Sequence, residues 1–169
     1  MSALDHQRML DTATAFFLTG ERCAPDLKFG PYGLHSVSAP RIVCYALSVE
    51  IAVKLILSII GRPSGGHKIS ELFRKLPDEV GVNLFVLSCH ADEMDRYFED
   101  WRYPYEKELL LGDCDNPRRA FIECYREIRR ISPTLKSIYE SNWGNFEPDW
   151  QWAWSELEAR QIEARLVGK

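Results

Sequence analysis

Apolar residues recur along this chain at the roughly three- to four-residue spacing of amphipathic helices, and no stretch alternates as a half-buried strand does. Leu4, Met9, Leu10, Ala13, Phe16 and Phe17 form one stripe, which predicts a first helix over residues 4–18 that Gly20 ends. Gly20, Pro25, Gly30, Pro31 and Gly33 mark residues 19–37 as a loop, long enough to be a packed cover or a lid. Ser38 then reads as an N-cap with Pro40 in the first turn of a second helix, which is apolar on most sides and stops at Gly61. After the turn at 62–66 a short helix is expected over Lys68–Leu76, bounded by Pro77. A fourth helix is expected within 78–102, its start obscured by Gly81 and its end set by Tyr103-Pro104.

Asn116 as N-cap and Pro117 at the first helical position open the next helix. Its face is written by Phe121, Cys124, Tyr125, Ile128 and Ile131. Ser132-Pro133 should restart a short helix to about Tyr139. A last helix should follow Pro148, with Trp150, Trp154, Leu157, Ile162 and Leu166 inward. The pattern predicts an all-α, up-and-down bundle of roughly five to seven helices in one domain over 1–169.

Composition narrows this picture. A chain of 169 residues with 46% hydrophobic and 12% aromatic content can bury a sizeable core. A net charge of -4 argues against broad electrostatic capture of nucleic acid or anionic membrane. Five cysteines, with no C-x-x-C, read as reduced thiols of a cytoplasmic protein, Cys44 and Cys124 being small core residues. The N-terminus lacks the pattern of a secretory signal. The apolar run Ile42–Ile60 carries Glu50 and Lys54, charges that are expensive in lipid, so it is expected to be a central core helix and not a membrane span.

Three pieces of sequence, in order, resemble the HEPN superfamily of helical bundles. They are the helix bearing Glu50 and Lys54, the Gly66-His67 turn leading to Leu72-Phe73, and Phe98, Arg102, Tyr103, Tyr105 and Glu106. The resemblance spans about residues 38–131. It implies an HEPN-like bundle whose candidate cleft is lined by Arg102, Tyr103, Tyr105 and Glu106, with Glu50 and Lys54 beneath. Active members are RNases that pair an Arg with a His across roughly four to six intervening residues: the Arg neutralises the scissile phosphate and the imidazole exchanges protons near neutral pH. Arg102 stands where that Arg would be, but Lys107, Glu108 and Leu109 occupy the positions for the His. Arg62 and His67 do have the spacing, yet they fall in the Gly-rich turn, where Arg62 reads as solvated and His67 as packing or capping. The Arg102 cluster fits stacking on a base or clamping a phosphate. It fits equally a structural network in which Arg102 pairs with Glu106 or Glu50.

The remaining constellations have plain readings. Cys89, His90 and Glu93 are of metal-binding types on one helix turn, but no second ligand-rich segment accompanies them, so neither metal nor other cofactor is expected. Arg119, Arg126 and Arg130, with Glu123 and Glu127 interleaved, read as a salt-bridged solvent face, or more sharply as an RNA or partner contact. Trp152 opposes the inward stripe of the last helix and favours a homodimer or partner surface. Phosphate-loop, dinucleotide and nucleophile-elbow motifs are absent from the sequence.

Three functions follow as expectations. The first is a catalytically silent RNA- or protein-binding module of a bacterial defence or toxin–antitoxin system. The second is an RNase with a rewired site, in which Glu106 or Tyr105 replaces the missing His beside Arg102. The third is a structural partner subunit of a nucleotidyltransferase.

Overall fold

The computed structural model describes residues 3–23, 38–100 and 115–140. Among them lie six helices and no strand: α1 Ala3–Arg22, α2 Ser38–Ile59, α3 Ile69–Phe73, α4 Asp78–Gly81, α5 Phe85–Asp100 and α6 Asp115–Ile131. The chain forms two compact units, Met1–Ser137 and Ile138–Lys169, and the architecture below belongs to the first. The all-α bundle expected from periodicity is the observed fold. The predicted C-terminal helix and its tryptophans lie outside the described residues.

α2 is the core element, touched by α1, α3, α5 and α6. It is the one described helix long and apolar enough to cross a membrane. Here its Ile42, Tyr45, Val49, Val53, Leu55, Ile56 and Leu57 are buried by its neighbours. α1 runs antiparallel to it, since His6 meets Ser58 (2.8 Å) at one end and Glu21 meets Tyr45 (2.5 Å) at the other. Phe17 stacks on Phe121 at 4.6 Å between centroids, and Tyr45 and Tyr125 extend the aromatic column across α1, α2 and α6.

Gly61 ends α2 as expected. Its φ of 77° is the left-handed conformation that glycine adopts without steric cost. The Gly61 amide bonds Ser58 O and the Arg62 amide bonds Leu57 O, which is the paired closure of a Schellman motif.

Gly20, by contrast, does not end α1. The helix runs through it to Arg22 because Gly20 is a packing position: a Cβ there would lie 2.5 Å from a ring carbon of Tyr45. Tyr45 cannot swing aside easily, since its hydroxyl is tied to Glu21. Gly20→Ala should therefore destabilise the protein by about 1–3 kcal/mol despite alanine's better helix propensity, a result that urea denaturation would read directly.

Three other boundaries depart from the sequence reading. The stretch expected as one fourth helix is broken, with α4 and α5 separated at Val82–Leu84. α3 is shorter than Lys68–Leu76, closing into a turn after Phe73. Residues 132–139 are not helical, because side chains take the groups a helix would use. Arg129 bonds Leu135 O (2.8 Å), Gln7 bonds Lys136 O (2.7 Å) and the Ser137 amide meets the Tyr125 hydroxyl.

Candidate functional site

Glu50 sits in the middle of α2 and is buried, 5% exposed. Its Oε1 accepts from Lys54 Nζ one helical turn on (2.6 Å) and lies 3.0 Å from His67 Nδ1 in the turn before α3. A carboxylate only accepts, so His67 carries its proton on Nδ1 here and Nε2 is the outward nitrogen. A buried carboxylate needs such partners, and it has two of them. The pairing also ties the Gly-rich turn to the core helix.

The next junction repeats the device. α3 starts after Lys68, which supplies no side-chain cap. Asp95 of α5 reaches across instead, accepting from the Ile69 and Ser70 amides and from Ser70 Oγ (2.6 Å). α5 starts after Leu84, equally unable to cap, and Glu123 of α6 takes the role. Its oxygens lie 3.0 Å from the Val86 amide and 3.3 Å from that of Leu87. Burial pushes the Glu123 carboxyl up to about 7 against the downward pull of these amides and of Arg126.

A third buried network joins α1, α2 and α6. Arg118 forks onto Glu21, with Nε to Oε1 at 2.6 Å and Nη2 to Oε2 at 3.2 Å. Tyr45 donates to Glu21 Oε1, while Arg41 lies over the Tyr45 ring and donates to its hydroxyl. Burial, and then the Glu21 charge, push the Tyr45 phenol up, keeping it a neutral donor.

These contacts correct the expected solvent face of α6. Glu123 and Glu127 are each 2% exposed, and Arg118 is buried as well. Glu123 points inward because it caps α5. Glu127 holds Asn83 at 3.1 Å and is forked by the exposed Arg130 at 2.5 and 2.8 Å. Cys124 is buried as expected and Cys44 half-buried, and desolvation raises both thiols. Asn116 does not cap its own helix. It lies inside α6, and its amide meets His90 Nδ1 (3.2 Å), which also faces Glu93 (3.0 Å). Tyr97 completes the group by donating to Glu93 (2.7 Å). Among the described residues, no set of three or more His, Cys, Asp and Glu is placed to hold a metal ion.

Of the predicted cleft, Arg102, Tyr103, Tyr105 and Glu106 lie outside the described residues. Glu50 and Lys54 are brought together, and the residue that joins them is His67 of the coincidental Arg62–His67 pair. Arg62 is exposed, and among the described residues no hydrogen bond joins it to His67, whose Nδ1 faces Glu50. The His67 side chain is 88% exposed, so its turn provides no water-excluding pocket for proton transfer. Glu21, Tyr45, Asp95 and Arg118 carry no local sequence signal for their roles, because their partners come from other helices. Comparison with protein-family models, with curated proteins and with solved structures finds no match to this chain.

Proposed function

We propose that this chain is an HEPN-like, catalytically silent module that binds a protein partner. The observation that carries the reading is where three of the five arginines of α6 are directed. Arg118 holds Glu21, Arg129 holds Leu135 O and Arg130 holds Glu127. A phosphate backbone is tracked by cations that can leave their own carboxylates, and these are engaged in internal pairs. The net charge of -4 acts in the same direction. Catalytic silence is supported by the missing His after Arg102 and by the exposure of His67, the nearest substitute by spacing.

In this reading the protein is a cytoplasmic homodimer of a defence or toxin–antitoxin setting, and a nucleotidyltransferase is the kind of partner the resemblance implies. Tagged protein purified from its native source at low salt should bring down a stoichiometric protein and no RNA. RNA that co-purifies, is released by high salt, and is lost in an Arg102→Ala variant that still folds would overturn the proposal. That result would put RNA binding, and the rewired RNase, in its place.

A further inference from the structure

The turn between α2 and α3 gathers positive charge around one hydroxyl. Ser64 is half-exposed, and Lys75, from the turn that closes α3, donates to its Oγ at 2.7 Å. Arg62, two residues before it, is exposed and has no side-chain partner among the described residues. His67, three residues after it, has Nδ1 held by Glu50, which leaves Nε2 outward. Of the four basic side chains of residues 62–75, Lys68 pairs with Glu71 and Arg74 with Asp92, which leaves Arg62 and Lys75 without a carboxylate partner among the described residues. The Ser64 hydroxyl in turn donates to the neighbouring Gly65 O at 3.2 Å, so Oγ both accepts from the ammonium and donates within the turn.

The backbone here is also accessible. Residues 62–66 have no regular structure, and residues 63–67 make no backbone–backbone hydrogen bond among the described residues. Gly65 and Gly66 are exposed, and a Cβ on either would meet open space. Such a segment can be drawn into the groove of another enzyme without unfolding a helix.

We infer that Ser64 is a phosphorylation site, with Lys75 and Arg62 as the cations that hold the phosphate. In the modification a protein kinase transfers the γ-phosphoryl group of ATP. Ser64 Oγ forms the new O–P bond, the bond between that phosphorus and the ADP oxygen breaks, and the Oγ proton passes to the kinase's base. The product adds about -1.5 to -2 charge and three acceptor oxygens at a hydroxyl that an ammonium already touches. The Lys75–Ser64 bond, from an ammonium to a neutral hydroxyl, becomes an ion pair between ammonium and phosphate, and the turn is drawn onto the end of α3. The local excess of positive charge is largely cancelled.

The test has two arms. Peptide mapping by mass spectrometry of protein taken from its native source should find one added phosphate on Ser64, and its absence across growth and stress conditions would sink the site. Recombinant protein with phosphoserine installed at 64 should melt higher than the unmodified chain by about 3 °C or more. Lys75→Ala should remove that gain. An unchanged or lowered melting temperature, or a gain that survives Lys75→Ala, overturns the proposed cradle. An equal rise of unmodified protein in inorganic phosphate would assign the turn to a free anion instead and overturn the covalent site.

Discussion

Arg118→Ala should destabilise the bundle by about 3–5 kcal/mol, a large share of the roughly 5–15 kcal/mol that holds a domain of this kind together. The reason is what the substitution leaves behind. Glu21 is 8% exposed and would keep its charge with Tyr45 as its remaining hydrogen-bond partner. An unpaired buried carboxylate costs far more than the net worth of the pair it came from. Urea denaturation should show the midpoint falling with the slope unchanged. The companion experiment separates the pair from the penalty: Glu21→Gln with Arg118→Met removes both charges and should recover most of the loss. Tyr45→Phe, which removes one donor and leaves the Glu21–Arg118 fork intact, should cost only about 1 kcal/mol. A mild effect of Arg118→Ala would mean that Glu21 is neutral or reached by water.

The same network shows what could be read from the chain and what could not. The stripe of Phe121, Cys124, Tyr125 and Ile128 is buried as its period requires, because a helix face is written in one segment. Gly61 stops α2 for an equally local reason, its positive φ. Gly20 looks like the same signal and is not: what makes it glycine is the ring of Tyr45, on another helix. The starts of α3 and α5 were hidden because Lys68 and Leu84 cannot cap. The carboxylates that serve them, Asp95 and Glu123, stand 26 and 37 residues further along the chain from the amides they accept. Glu50 and Lys54 were legible as a helix pair, but His67, which completes the group, comes from across the turn. Acidic residues between arginines usually lie on a solvent face, and the sequence of α6 places Glu123 and Glu127 there. Their burial reflects the unsatisfied donors of neighbouring elements, which no periodicity in α6 records.

Glu123 also sets an expected pH dependence of stability. Its carboxyl is raised from 4.5 to about 7 in the folded protein, burial being the dominant cause. The folded state therefore binds this proton more tightly than the unfolded chain does. Its contribution is fully present below about pH 4.5 and is lost as pH rises through about 7, an amount on the order of 3 kcal/mol. Stability of the wild type relative to Glu123→Gln should thus fall between pH 5 and 8, roughly by that amount, when urea midpoints of the two are compared. Glutamine keeps one oxygen for the Val86 and Leu87 amides without a charge to desolvate, so at pH 8 it should match or exceed the wild type. Glu123→Ala has a different expected outcome. It leaves the first amides of α5 without an acceptor in a buried setting and opens a void, so it should cost about 2–4 kcal/mol near pH 5, a cost that shrinks as pH rises through about 7 and the wild type loses the Glu123 contribution. Parallel pH profiles for the wild type and Glu123→Gln would show that the amide hydrogen bonds, rather than burial, govern this carboxylate.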